Sequence, residues 1–192
     1  MAEPAVYEWA GHLAMHVGTV VHRWLQLIAE EGLASCTPEW RRGRQPLVRR
    51  MLSDLGVPRE ELDAATSRVS EALERTLRDP RGRWLLDSMH GDAASELALT
   101  VCEDGRFRNL VVDRTFHDAA DGTRWVIDFK TSQHQGGDLE AFIEAEVGRH
   151  REQLLGYQKA LAALTGEPVR TALYYPLLGI FREVVAEPGR QV

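Results

Sequence analysis

The hydrophobic period of this sequence changes near its middle, and that change constrains the fold most. In the first half, apolar residues recur at helical spacing over about residues 12–31 and 60–77. The stretch "TPEWRRGRQP" between these two segments is predicted to be a loop that leads into a short helix. From "SELALTV" onward, three alternating stretches separated by turn residues predict an antiparallel meander. A helix over about residues 138–164, in one or two pieces, and the strands "VRTALYYPL" and "FREVVA" follow. This order predicts an α/β (α+β) fold with a central mixed sheet flanked by helices and a mostly helical N-terminal half.

Composition sets limits on what the chain can be. Its 192 residues, 44% of them hydrophobic, are enough for a single domain over residues 1–192. The net charge of −6 excludes a wholly basic nucleic-acid coat, though not a local basic groove. The two cysteines form no CxxC pair, which argues against an iron–sulfur or structural zinc site. No apolar run approaches 18 residues and no signal-peptide pattern opens the chain, so we expect a cytoplasmic protein with no membrane contact.

The stretch "RWVIDFKTS", residues 124–132, carries an acid and a base inside an apolar run. Side chains alternate between the two faces of a strand. Trp125, Ile127 and Phe129 can therefore face the core, while Asp128 and Lys130 share the opposite face. The strand can present both charges to one cleft without burying them in the core.

Simple turns align three carboxylates across the meander. A turn centred on Ala120 and Asp121 places Asp113 opposite Asp128, and a turn at "EDGR" places Glu96 opposite Asp113. Directly opposed side chains have Cβ atoms about 4.5–5.5 Å apart, so three carboxylates in a row repel one another unless a cation lies among them. Oxygen ligands of this kind favour Mg²⁺ or Mn²⁺.

Each of these signals also has an ordinary structural explanation. An acid–x–lysine on a strand is usually a solvated face or an edge device. His22, four residues after Gly18 on a helix, is more often a core or surface residue than a ligand. Gln153 and Tyr157, at i and i+4, are more often the polar edge of an amphipathic helix than a functional pair.

Taken in order, the motifs resemble the RecB-like nuclease domain of the PD-(D/E)xK superfamily. The series is "GTVVH" on a helix, "SELAL" on a strand, then "VVDR", "VIDFKTS", "QLLGY" and "LYYPL", over about residues 16–178. Single motifs of this kind are weak, but the ordered set is fairly specific. Such domains are often fused to the C-terminus of UvrD/Rep-type helicases, as in AddA-like and RecB-like proteins.

The resemblance implies a role for each residue of the set. It makes His22, Asp113, Asp128 and the Phe129 carbonyl metal ligands and Lys130 the catalytic lysine. It makes Gln153 and Tyr157 the pair that orients DNA or the lysine, and Glu96 an acid of less uniform role. Val111 is a departure, because such domains usually have glycine two residues before the aspartate of the second strand.

The function implied is a Mg²⁺-dependent (or Mn²⁺-dependent) DNA nuclease. It would be the exonuclease part of a helicase-nuclease acting in recombinational DNA repair, with this chain as an excised C-terminal part. No GxxxxGK[ST] motif occurs, so a joined or partner helicase motor would supply ATP hydrolysis. Arginine-rich stretches at residues 41–50 and 75–83 are candidates for phosphate contacts, although such runs are usually solvated faces. The alternative is an inactive nuclease-derived module that binds DNA or docks a partner.

Overall fold

A computed structural model describes residues 4–103, 105–132, 134 and 136–185, with no side-chain description for residues 4–11 and 103. The chain forms two compact units, and each is built from more than one segment. The first unit combines the chain up to Ser88 with the short segments 130–132 and 175–179. The second combines residues 89–129 with residues 136–174 and the strand that begins at Ile180.

The first unit is helical. Its helices are α1 (Pro4–Glu31), α2 (Pro38–Asp54), α3 (Leu62–Arg78) and α4 (Pro80–Leu85), with a single 3₁₀ turn at Leu33–Ser35. Its core comes from the apolar stripes that the helical period predicts; fully buried members include Val20, Val21, Leu25, Ile28, Leu52, Ala65, Val69 and Leu85. The mostly helical N-terminal half is thus confirmed.

Helix α2 begins earlier than the sequence pattern predicts, so the prediction of a loop at "TPEWRRGRQP" is wrong. The Thr37 hydroxyl accepts a hydrogen bond from the Trp40 backbone N–H at 3.1 Å, which caps the helix at its start. Pro38 occupies the first turn, where a missing N–H costs nothing. Pro46 lies inside the helix, where proline normally breaks the hydrogen-bond ladder. That interior proline makes the segment resemble a loop in the sequence.

Gly18 allows α1 to approach the segment that follows the acid–x–lysine motif. A Cβ built at Gly18 would lie 2.8 Å from the Thr131 Oγ1, closer than a carbon and an oxygen can normally pack. Both residues belong to the first unit. The glycine of "GTVVH" is therefore explained by close packing.

The second unit is built on a five-stranded mixed sheet. Its strands are β1 (Gly91–Glu103), β2 (Arg106–His117), β3 (Arg124–Phe129), β4 (Val169–Tyr175) and β5 (Ile180–Val184), in the spatial order of the chain. Strands β1, β2 and β3 form the predicted antiparallel meander, while β4 pairs with β3 in parallel. One helix, α5 (Leu139–Thr165), links β3 to β4 and packs against β3. The predicted α+β fold with a mixed sheet is confirmed, and it agrees with a restriction-endonuclease-like core.

The strand registers also match the sequence prediction. Pairing of β1 with β2 includes Ser95–Arg114 and Leu97–Val112, which leaves Glu96 opposite Asp113. Pairing of β2 with β3 ends at Arg114–Ile127, and continuing it by one residue places Asp128 opposite Asp113. The turn residues were therefore sufficient to predict the row.

Within the part of the chain that the structure describes, no helix has the length and apolar character needed to cross a membrane.

The contact between Gly18 and Thr131 generates a prediction in the form of a double-mutant cycle. Glycine in a helix interior costs about 1 kcal/mol relative to alanine, so Gly18→Ala should stabilise the protein by about that amount in a Thr131→Ala background. In the wild-type background the clash with the Thr131 hydroxyl should cancel that gain or reverse it. Urea unfolding of the four proteins measures the coupling.

Gly43→Ala in α2 is the matched control, because no atom lies within 4 Å of a Cβ built there. It should stabilise the protein whatever residue occupies position 131. Equal gains from Gly18→Ala in both backgrounds would show that the packing contact carries no energy.

Candidate active site

Two aspartates face one another across the β2–β3 pair. Asp128 lies on β3 and is only 2% exposed, and Asp113 lies on β2 and is half-buried. Taking a carboxylate out of water is costly unless it is paired, hydrogen-bonded or bound to a metal. A buried carboxylate with a second one opposite it is therefore better explained by a role in a site than by stability.

The backbone of β3 holds Asp113 in position. The Phe129 N–H donates to the Asp113 Oδ2 at 2.7 Å, just beyond the end of the regular β2–β3 pairing. The carboxylate thus replaces a backbone carbonyl as acceptor at the point where the ladder ends. A hydrogen bond to the charged form fixes the orientation of the Asp113 carboxylate.

Glu96 adds a third acid from β1 in an unusual backbone conformation. Its carboxylate comes within 4.8 Å of that of Asp113, as measured between oxygen atoms. Its φ of +52° lies in the left-handed region, which a residue with a Cβ enters at a cost of about 1–3 kcal/mol. Strain of this kind persists where the surroundings impose it, and it is concentrated at functional sites.

Helix α5 brings Gln153 and Tyr157 to the same acids. The Gln153 Nε2 donates to the Tyr157 hydroxyl at 2.6 Å, as their i, i+4 spacing permits. Burial raises the pKa of Tyr157, the Gln153 hydrogen bond lowers it, and the negative charges of Asp128, Asp113 and Glu96 raise it further. The net direction is upward, so the phenol stays protonated and can donate a hydrogen bond at physiological pH.

A groove of about 560 Å³ runs beside this pair. It is bordered by residues of β1 and β2 on one side and by residues of α5 on the other; they include Arg108, Asn109, Val111, Arg149, Gln153 and Tyr157. The hairpin that borders it also carries Phe107, which is 79% exposed. The groove thus joins the tyrosine near the acids to two arginines.

The residues selected from the sequence divide between the two units. Glu96, Asp113, Asp128, Phe129, Gln153 and Tyr157 all lie in the second unit. His22, on α1, and Lys130, one residue past the end of β3, belong to the first, and both side chains are half-buried.

Sequence reasoning missed one packing residue of the first unit and two groove residues of the second. Thr131 was not predicted to be important. The glycine in "GTVVH", Gly18, could have indicated a closely packed neighbour at this point, and that neighbour is Thr131. Arg108 and Arg149 were also overlooked, because single arginines far apart in the chain form no motif.

The two arginine-rich stretches are largely compensated by carboxylates. Six arginines of these stretches form ion pairs along or between helices: Arg41–Glu74, Arg42–Glu39, Arg44–Glu31, Arg50–Asp54, Arg75–Glu71 and Arg78–Glu74. Arg49 pairs with Asp63 as well. These stretches are therefore weaker candidates for phosphate contacts than their composition indicates.

Comparison with known proteins decides the family. The model of the PD-(D/E)XK nuclease superfamily matches residues 8–188, nearly the whole chain. The chain belongs to the PD-(D/E)XK nuclease superfamily. Among solved structures, this domain is similar to protein VC1899 from Vibrio cholerae, at 14% identity and a TM-score of 0.31. The match covers 86% of this chain and 47% of that one, so the domain spans about half the length of the protein it matches. A search of curated proteins gives no match.

The donors of this PD-(D/E)XK domain fit a hard divalent cation. Its acidic cluster offers carboxylate oxygens from adjacent strands, and oxygen ligands are those that Mg²⁺ and Mn²⁺ prefer. Members of the superfamily are generally nucleases that use divalent metals. The chemistry of the cluster and the family therefore agree.

The strain at Glu96 predicts that glycine at this position gives a more stable protein than alanine, the reverse of the usual order in strands. Glycine in a strand is normally less stable than alanine by about 0.5–1 kcal/mol. At position 96 the left-handed backbone penalises alanine but not glycine, so Glu96→Gly should be more stable than Glu96→Ala. Thermal or urea unfolding measures the difference.

Ala98→Gly, at an exposed position two residues along β1, is the matched control and should destabilise in the ordinary way. If glycine is also the less stable residue at position 96, the backbone there is not strained.

The environment of Tyr157 predicts two pKa shifts of opposite sign. Asp128→Asn removes a negative charge that raises the pKa of Tyr157, so that pKa should fall toward its ordinary value. Gln153→Ala removes a donor that favours the phenolate, so the pKa should rise. Titration of ¹³Cζ-labelled tyrosine by NMR, with the signal assigned by Tyr157→Phe, measures both.

Shifts of the same sign in the two variants would mean that Tyr157 does not sense Asp128 and Gln153 as described.

Proposed function

We propose that this domain is a Mg²⁺-dependent (or Mn²⁺-dependent) deoxyribonuclease that hydrolyses phosphodiester bonds. The observation that carries the proposal is the pair Asp113 and Asp128, opposed across β2 and β3, with Lys130 next in the chain after β3. Membership of the nuclease superfamily supports the same reaction. By the motif positions, His22 and the Phe129 carbonyl complete the ligand set.

The choice of lysine at position 130 supports a chemical role for it. All but two of the chain's 23 basic residues are arginine; the lysines are Lys130 and Lys159. Ammonium is a compact point charge with three donors, whereas guanidinium is a wide planar fork. A chain that uses arginine almost everywhere else retains lysine at the position where the small cation is needed.

The metal, when bound, would polarise the phosphate and lower the pKa of a water molecule. Asp113 and Asp128 would hold it, and the hydrogen bond from the Phe129 N–H would keep the Asp113 carboxylate turned toward the site. Lys130 would stabilise negative charge on the phosphate. Tyr157, neutral and held by Gln153, would donate a hydrogen bond that orients DNA or the lysine.

The groove in the second unit is proposed as the path of the DNA strand. Arg108 and Arg149 would contact phosphates, and Phe107 offers an exposed ring on which a base could stack. Val111, 45% exposed, lines the groove where related domains usually have glycine. A strand passing there would contact a valine side chain and not a bare backbone.

We further propose, from the resemblance, that the domain acts as the exonuclease part of a helicase-nuclease in recombinational DNA repair. A helicase motor joined to it or supplied by a partner would deliver the strand. Exonuclease action requires a DNA end, so circular single-stranded DNA should resist cleavage while a linear strand of the same sequence is degraded. Equal cleavage of both would identify an endonuclease.

The central prediction compares the two lysines. Lys130→Ala should reduce the cleavage of labelled DNA by about 10²–10³ at saturating Mg²⁺, because one donor to the transition-state charge is lost. Lys159→Ala, the matched control on α5, should cleave at the wild-type rate. Asp128→Asn and EDTA should each abolish cleavage, and the thermal midpoint of both lysine variants should stay near that of the wild type.

Wild-type rates in Lys130→Ala would refute the mechanism. If the wild-type domain binds DNA but cuts none, alone or joined to its helicase motor, the inactive DNA-binding module is the better conclusion.

A further inference from the structure

The first unit contains a small aromatic pocket that the proposed nuclease chemistry does not use. It measures about 100 Å³ and lies among α1, α2 and α3, with Trp24, Trp40, Arg41, Arg44 and Glu74 in its lining. The volume exceeds what one water molecule needs and falls below the roughly 300–1,000 Å³ of drug-sized sites. A volume of this size limits a ligand to about one ring system.

One wall of the pocket is a preorganised stack. The Arg44 guanidinium lies over the Trp40 ring, 4.2 Å from its centroid. Glu31 holds both members, because it accepts a hydrogen bond from the Trp40 Nε1 at 2.9 Å and from the Arg44 Nη2 at 3.2 Å. Trp24 packs edge-on against Trp40, with ring centroids 5.6 Å apart. Because these contacts already fix the stack, ordering its side chains on ligand binding should cost little free energy.

Two residues of the pocket lining, Trp24 and Arg41, carry buried donors that lack acceptors. In the described part of the chain, neither the Trp24 Nε1–H nor the Arg41 Nε–H has a hydrogen-bond partner. Trp24 is only 1% exposed, and a buried donor without an acceptor costs about 1–3 kcal/mol. Arg41 meets Glu74 through its Nη1 at 3.6 Å, which leaves its Nε without a role. These two N–H groups therefore have no acceptor among the described residues, although Glu74 lies in the same lining.

A nucleobase offers acceptors for these two donors. It is planar, it carries carbonyl and ring-nitrogen acceptors at its edge, and it stacks on aromatic rings and on guanidinium planes. Arg44 has a 37% exposed side chain, so its guanidinium offers a platform of that kind. An aliphatic ligand would leave both donors unsatisfied, and a bare phosphate would not use the aromatic wall.

We propose that this pocket binds a single unstacked nucleobase of the DNA substrate, separately from the acidic cluster. The inference rests on the proposed function, because it assigns a second contact to the same substrate. It implies that the domain engages single-stranded DNA, since a base stacked inside a duplex has no free face to offer.

The test is ¹⁵N NMR of the indole groups in EDTA, with deoxynucleoside monophosphates as probes. The chain has five tryptophans, and Trp24→Phe assigns the Trp24 signal. The Trp24 indole N–H should move downfield with at least one of the four nucleotides, because it gains an acceptor. It should not move with 2-deoxyribose 5-phosphate, which lacks the base, and the signals of Trp84 and Trp125 should stay in place.

Arg44→Gln removes the platform without disturbing the core and should weaken nucleotide binding at least about fivefold. Arg50→Gln, the matched control, removes an arginine that is ion-paired on the same helix but absent from the pocket lining, and it should bind like the wild type. A Trp24 signal that ignores all four nucleotides, that moves equally with the sugar phosphate, or that is insensitive to Arg44→Gln overturns the proposal.

The two proposals fail separately. Asp128→Asn should lose cleavage and keep the Trp24 response. If the wild type cuts no DNA while that response remains, the nuclease function fails and the base pocket stands.

Discussion

The antiparallel pairing of β2 with β3 is the constraint on which the candidate site depends. It sets Asp113 opposite Asp128, and the regular ladder ends one residue earlier, at Arg114–Ile127. A shift of one residue would turn Asp128 to the other face of the sheet and bring apolar neighbours into its place. The hydrogen bond from the Phe129 N–H to Asp113 secures this register, because it forms only when the two strands are aligned in this way.

The charge distribution of the molecule follows a consistent pattern. Arginines on the first helices are balanced by nearby glutamates and aspartates, while the acids around Asp128 are gathered with a neutral tyrosine at their edge. The net charge of −6 is therefore the sum of two different local arrangements: a helical surface whose arginines are paired with carboxylates, and an acidic cluster. The local arrangement of charges, more than the net charge, decides where a polyanion could approach. A bound divalent cation would offset the negative charge of the acidic cluster and so favour that approach.

Much of this arrangement could be predicted from the sequence, because turn residues and strand alternation are local signals. The tight turns at "EDGR" and "DAADGT" set the register, so the row of Glu96, Asp113 and Asp128 follows from counting. The left-handed backbone at Glu96 could not be predicted, because glutamate carries no preference for it and the surrounding sheet imposes it. The start of α2 was missed since Pro46 resembles a breaker in sequence, whereas the Thr37 cap and the packing of the helix outweigh it. The pocket around Trp24 and Trp40 was missed because it joins residues of three helices that share no motif.

The parallel pairing of β3 with β4 has a consequence for how the chain folds. Strands β1, β2 and β3 are neighbours in sequence and can pair as soon as they are made, but Asp128 meets its partner Leu173 only after the whole of α5 has been synthesised. Contacts between distant residues close slowly, so the meander should form first, with one side of β3 open. Until Val169–Tyr175 docks, that open edge can recruit other chains. During synthesis on the ribosome, the β3 edge that carries Asp128 therefore stays open to aggregation until β4 has been made and docked.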